Sequence, residues 1–511
     1  MDVDRDHIIH LVNGRLREGN PRSSTRRADV ERMVGAALAK GAQPHLVVHF
    51  HGGLVNEKAG RGVAKKLAPS YVGANRYPLF FVWEAGLLEA IGNNLEDIRR
   101  DPIFRQLVKK VTRTVLTQLP AAAGFKGAGT KVDAESLEGE FDEWFAGKRS
   151  TLPEALGGKP SDAVLKGGAV AEPSEGDLQA RIQGELDVDV ELQETLERVN
   201  ATITPESLAN PTPKIDAPGA VVSPLTEISP EQVGEVLDVK QGKGALSLAK
   251  VALLIARVAI RVIRRFIDGR AHGLYNTVVE EILAAAYIDK VGGLIWGQIK
   301  KDTEDAFADS ATSGGAALLD IIAAQQKAAA KSFARITLIG HSTGAIYICN
   351  WLDHAAAALP GVKFEVIFLA PAVTHARMAK TLAGNAATIG KFRLFGMHDE
   401  VESADRLVSI VYTRSLLYFV SGVVEFDGGK RAVDEPLVGM ERYLIDPTFT
   451  AQAFPAVAAV KKFLGGAGFA IWSKTAAGAA AGSTTLSAKH GDFDDDPQTV
   501  ASLVHILGNG F

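Results

Sequence analysis

Short apolar runs separated by longer stretches of helical periodicity set the rhythm of this 511-residue chain. Five runs, His45–Phe50, Pro78–Trp83, Ile336–Ile339, Phe364–Leu369 and Phe392–Met397, stop at glycine, proline or a charged loop. Unbroken apolar character, without in–out alternation, is what a strand covered on both faces shows. Helical patterns such as Asp29–Lys40 and Ala345–Ala358 stand between several of them. The pattern predicts an α/β fold, a mostly parallel sheet with helices on both faces.

The rhythm breaks between Trp83 and Ile336. Residues 87–119 place Ile98, Phe104, Leu107, Val111 and Val115 at helical spacing. From about 121 to 242 the chain carries nine prolines between Pro153 and Pro230, with acidic residues and glycines filling much of the space. Such a stretch buries little apolar area, so loops, flexibility and one or two short helices near Asp177–Val199 are expected. Helical order is expected again over 244–301. The chain thus divides into a discontinuous core, 1–85 and 330–511, and a large, mainly helical, partly disordered insertion, 86–329, ahead of the strand Ile336–Ile339. Within the insertion, the cations Lys250, Arg257, Arg261, Arg264 and Arg265 of the helix 245–267 fall within an arc of roughly 100°. Either that helix is buried with one wet edge, or it is a lid or membrane-surface helix making peripheral contact with lipid.

Composition narrows the class. Hydrophobic residues make up 46% and charged residues 23%, ordinary for a chain with a sizeable core. A formal net charge of −4 gives no support for nucleic-acid binding. The one cysteine, Cys349, allows no internal disulfide and stands in an apolar helix, where an inert thiol is expected. The charged start Met-Asp-Val-Asp-Arg-Asp-His shows no secretory leader, and no stretch is apolar enough to span a bilayer. A soluble, cytoplasmic protein is the expectation.

Candidate chemistry concentrates at one place. Residues 335–344 read Arg-Ile-Thr-Leu-Ile-Gly-His-Ser-Thr-Gly, a strand running into G-x-S-x-G, and a helical pattern follows at once. That context suits a nucleophile elbow, in which Ser342 projects from a tight turn and Gly340 and Gly344 remove side chains that would collide. The N–H of Thr343 then stands at a helix N-terminus, ready for a developing oxyanion. A serine hydroxyl needs a base to take its proton. Of the later histidines, His490 is best placed, in a loop before a helix whose start is signed by Asp496 and Pro497. An earlier loop, His49-Phe50-His51-Gly52-Gly53-Leu54, offers a second oxyanion donor, Gly53 or alternatively Leu54. Its two histidines admit a zinc reading, but no third ligand is specified nearby, so no metal is expected.

With the elbow Gly340-His341-Ser342-Thr343-Gly344 and the loop His51-Gly52-Gly53, the chain resembles the α/β-hydrolase superfamily, in its esterase and lipase members, over 1–85 and 330–511. The resemblance implies an α/β-hydrolase fold and a triad in the chain order serine, acid, histidine. The acid then belongs in the loop after Phe392–Met397, where Asp399 stands with Glu400, Glu402 and Asp405 as competitors. It further implies a serine hydrolase that cleaves carboxylic esters through an acyl-enzyme on Ser342, with no cofactor. The resemblance assigns no substrate; the apolar helices of the insertion point to a small-molecule or lipid-like ester. An amidase or peptidase using the same triad, or a non-catalytic binding relative, are the alternatives.

Overall fold

The computed structural model describes residues 2–19, 23–53, 56–83, 87–118, 134–152, 156, 173–202, 247–287, 293–427, 430–431, 433–466 and 468–511. Those residues form two compact units. One comprises 1–89, 294–405 and 435–511, and the other 90–293 with 406–434.

The first unit is built on an eight-stranded sheet of α/β architecture. Its strands are β1 (Ile8–Val12), β2 (Arg15–Leu16), β3 (His45–Phe50), β4 (Tyr77–Trp83), β5 (Arg335–His341), β6 (Phe364–Leu369), β7 (Ile389–Met397) and β8 (Ala470–Ser473). They lie in the order β8-β7-β6-β5-β3-β4-β1-β2. Every pairing is parallel except β1 with β2. The five apolar runs are β3 to β7, and β3, β4 and β6 are buried almost throughout. Side chains alternate between two apolar layers. Val47, Ile339, Ile367 and Phe395 join Leu67, Tyr71, Leu503 and Ile506 from the helices Glu57–Gly73 and Pro497–Asn509. On the opposite face Phe50 stacks on Tyr347 and meets Trp351 of the helix Gly344–Ala358, while Phe392 meets Phe463 of the helix Pro455–Leu464. Helices therefore cover both faces.

The chain leaves β3 for β4 on one side and returns to β5 on the other, so β3 and β5 are neighbours with carboxyl ends side by side. Open α/β sheets bind their ligands at such a switch point.

The second unit is helical. It includes Pro102–Gln118, Glu175–Leu186, Val190–Thr202, Leu248–Ile267 and Leu274–Ala286. Expected helices at 87–119 and near 177–199 are present; most of 121–242 lies outside the described residues. The helix Leu248–Ile267 is its interior element, buried along its apolar positions and at Arg265 as well. Its cations face partners from the same unit: Arg257 Nε with Glu175 at 3.1 Å, Arg261 Nε with Glu281 at 2.9 Å, and Arg265 with Glu280 at 2.7 Å. The helix is thus packed within its unit along its apolar positions, with Arg264 exposed. No helix among the described residues is long and apolar enough to cross a membrane.

Two boundaries depart from expectation. Residues 294–329 belong with the sheet, since the Gly314–Ala329 helix opens with a Gly314 N–H bond to the Gly14 carbonyl (3.0 Å), and Arg27 pairs with Asp320. Residues 406–434 belong with the helices, where Thr413 N–H donates to Asn276 Oδ1 at 3.0 Å and Tyr412 O–H to Glu280 Oε1 at 2.5 Å.

Burial opposes the charges of Arg265 and Glu280 alike. Glu280, Glu281 and Asp434 nevertheless raise the guanidinium, and His272 and Arg265 hold the Glu280 carboxyl below its ordinary range. Removing one partner strands buried charge. Arg265→Ala is expected to lower unfolding free energy by about 3–5 kcal/mol in urea titrations.

Candidate active site

β5 ends at His341, the helix Gly344–Ala358 begins three residues later, and Ser342 makes the turn between them with φ of 53°. That left-handed conformation is strained for a serine and is held by its own peptide. The Ser342 N–H donates to the Leu369 carbonyl at 2.9 Å, and its carbonyl accepts from Ala345 N–H at 3.1 Å and Ala372 N–H at 3.0 Å. The flanking glycines serve close approach. A Cβ on Gly340 would lie 2.6 Å from the Gly344 backbone, and one on Gly344 would strike the Phe50 carbonyl.

The His490 Nε2 lies 3.0 Å from Ser342 Oγ, although the residues are 148 positions apart. Both are buried, Ser342 to 1% and His490 to 5% exposure. Burial, and then the charge on His341, push the His490 imidazole well below its ordinary pKa, with Asp494 opposing. A neutral ring with Nε2 toward a hydroxyl is what a general base requires.

The expected acid stands elsewhere. Asp399 opens a helical turn, Asp399–Glu402, and its N–H donates to Glu441 Oε2 at 3.0 Å. Among the described residues the His490 Nδ1 has no hydrogen-bond partner, so neither Asp399 nor any competing carboxylate bonds the ring. Asp405, one of those competitors, meets His490 through the backbone, accepting its N–H at 3.0 Å. Serine and histidine are thus brought together as a pair, without the third member in hydrogen-bond contact.

Both expected oxyanion positions adjoin the serine. Thr343 is buried at the N-cap of the helix Gly344–Ala358, and its Oγ1 accepts the N–H of Gly53. The loop after β3 lies directly over the elbow. A Cβ on Gly52 would be 3.4 Å from Ser342 Cβ, and one on Gly53 would come within 2.5 Å of Thr343 Oγ1. Leu54, the other donor considered, lies outside the described residues.

His49 and His51 fill structural places. The Nδ1–H of His51 donates to the Gly52 carbonyl at 2.6 Å, its Nε2 accepts Trp83 N–H at 3.2 Å, and the ring stacks on Trp83. His49 Nδ1 is 3.2 Å from Tyr71 Oη. Burial drives both rings down to about 4. Cys349 is buried, and burial pushes its thiol up to about 11, as suits an inert packing residue.

Sequence reasoning missed Asp494 and the part played by His341. The Nδ1–H of His341 donates to Asp494 Oδ2 at 2.7 Å, and its Nε2–H to the His490 carbonyl at 3.0 Å. Burial opposes the His341 cation, yet the Asp494 carboxylate and the His490 carbonyl raise its pKa above the ordinary value. Burial likewise opposes the Asp494 anion, but His341 and then His49 hold it down to about 2. The one available signal was Phe493, an aromatic inside a run of aspartates.

No protein-family model, curated protein or solved structure matches this chain.

The ion pair has a definite pH window. Asp494, lowered from 3.8 to about 2, contributes fully above its ordinary value and loses that contribution as pH falls toward 2. His341, raised above 6.5, contributes fully below 6.5 and loses it as pH climbs through the raised value. The stability difference between wild type and Asp494→Asn is therefore expected to be flat from about pH 4 to 6.5, on the order of 2 kcal/mol, and to shrink on either side. Urea unfolding of both proteins across pH checks this; a difference that stays constant outside the window contradicts it.

Proposed function

We propose that this chain is a serine hydrolase of the α/β-hydrolase type that cleaves carboxylic esters through an acyl-enzyme on Ser342. The observation that carries the reading is the 3.0 Å approach of His490 Nε2 to the hydroxyl of a serine held in left-handed geometry at a strand–turn–helix elbow. In the cycle, neutral His490 takes the Ser342 proton as Oγ attacks the ester carbonyl. The Thr343 N–H, at a helix N-terminus, meets the oxyanion, joined by Gly53 N–H once the Thr343 hydroxyl turns away from it. His490 then protonates the departing alcohol and activates the water that releases the acid.

The switch-point location supports the same reading, since the loops after β3 and β5 converge there. The apolar helices of the second unit, Leu248–Ile267 among them, bury their apolar positions within that unit, so the reading stays at carboxylic esters in general. One buried cysteine as a free thiol suits action in the cytoplasm.

A fluorophosphonate probe tests the proposal, because it phosphonylates only an activated serine. Wild type is expected to label with Ser342→Ala blank, and His490→Ala slowed by at least about 100-fold. Labelling that survives in Ser342→Ala, or none in folded wild type, sinks the assignment. Turnover of p-nitrophenyl esters above the matching anilides separates an esterase from an amidase.

A further inference from the structure

We propose that His341 and Asp494 are positioning residues of the Ser342–His490 pair, acting on His490 through its backbone instead of its ring. The inference rests on the serine-hydrolase reading. With Nδ1 of His490 meeting no partner among the described residues, no hydrogen bond on the far side of the ring fixes it. The residue is pinned by its own peptide. Its N–H is held by the Asp405 carboxylate and its carbonyl by the Nε2–H of His341, each at 3.0 Å.

Both ring nitrogens of His341 face acceptors, the Asp494 carboxylate and the His490 carbonyl. A neutral imidazole has one N–H and cannot donate twice; an imidazolium can. Asp494 therefore works at one remove, keeping His341 doubly protonated so that its second N–H reaches the loop bearing the base. The surroundings are consistent with a single cation there. His49 and His51, from β3 and its loop, are held neutral by burial, and Tyr71 of the helix Glu57–Gly73 is buried with its hydroxyl pKa raised. Asp495 adds a further anion favouring His341, and His490 itself is neutral. His49 Nε2 stays 3.7 Å from Asp494, outside hydrogen-bond reach, so His341 is the imidazole bonded to that carboxylate.

The test measures p-nitrophenyl acetate hydrolysis across pH by wild type, Ser342→Ala, Asp494→Asn and His341→Gln, with active sites counted by fluorophosphonate titration. Per titrated site, Asp494→Asn and His341→Gln are expected to lose about 10- to 100-fold in kcat with KM little changed. Wild-type kcat should fall at alkaline pH as His341 sheds its second proton, and both variants should lack that limb. If Asp494→Asn does not fold, His341→Gln carries the same comparison. A wild-type kcat and pH profile per site in the variants overturns the positioning role alone. Equal turnover by wild type and Ser342→Ala overturns the hydrolase reading and this inference with it.

Discussion

A serine at φ of 53° constrains everything around it. For an L-residue that conformation costs on the order of 1–3 kcal/mol, so it persists only where the surroundings over-determine it. Here three backbone hydrogen bonds from β6 and its following loop and from the next helix fix the Ser342 peptide. The turn is also too tight for side chains. Gly340 and Gly344 touch backbone to backbone, and Gly344 lies against the Phe50 carbonyl of the neighbouring strand. Because β3 and β5 are in register through that contact, the loop leaving β3 is delivered over the elbow, with Gly52 and Gly53 passing the serine and its successor. One strained residue thus explains four glycines.

Electrostatics around the turn follow a simple rule. Burial makes an isolated imidazolium expensive, and His49, His51 and His490 all respond by staying neutral. His341 is the exception because a carboxylate lies 2.7 Å from it. At an effective dielectric of 20, unit charges about 4 Å apart interact by about 4 kcal/mol, enough to offset several kilocalories of desolvation. The pair is nearly neutral when viewed from His490, so His341 lowers and Asp494 raises its proton affinity. An imidazole in that setting is uncharged at neutral pH.

Local sequence pointed to the elbow and to His490 because their signals are local. Glycines two positions either side of Ser342 announce the turn, and Asp496-Pro497 announces the helix that His490 precedes. The acid was a different problem. Asp399 does follow β7, the place expected for it, but the choice among Asp399, Glu400, Glu402 and Asp405 depends on which way one helical turn faces, and Glu441 takes the Asp399 N–H. Asp494 was hidden because Asp492-Phe493-Asp494-Asp495-Asp496 resembles a solvated acidic run, though Asp494 is 4% exposed. The strands β1 and β8 also escaped notice. His10 interrupts the first, buried beside the Thr25 hydroxyl that accepts its N–H, and the second has only four residues.

The helical unit shows the same limit from the other direction. A stripe of cations on 245–267 reads by periodicity as a wet edge, since a helical wheel contains no information about what other helices bring. In the fold, Glu175 comes from one helix and Glu280 and Glu281 from another, and Arg265 ends with no exposed surface. His341 and Asp494 repeat the arrangement across 153 residues of sequence. Apolar periodicity predicts which face is buried because each residue contributes its own transfer free energy. Charge has no such additivity. Whether a buried ion is tolerable depends on one partner, and that partner is chosen by topology.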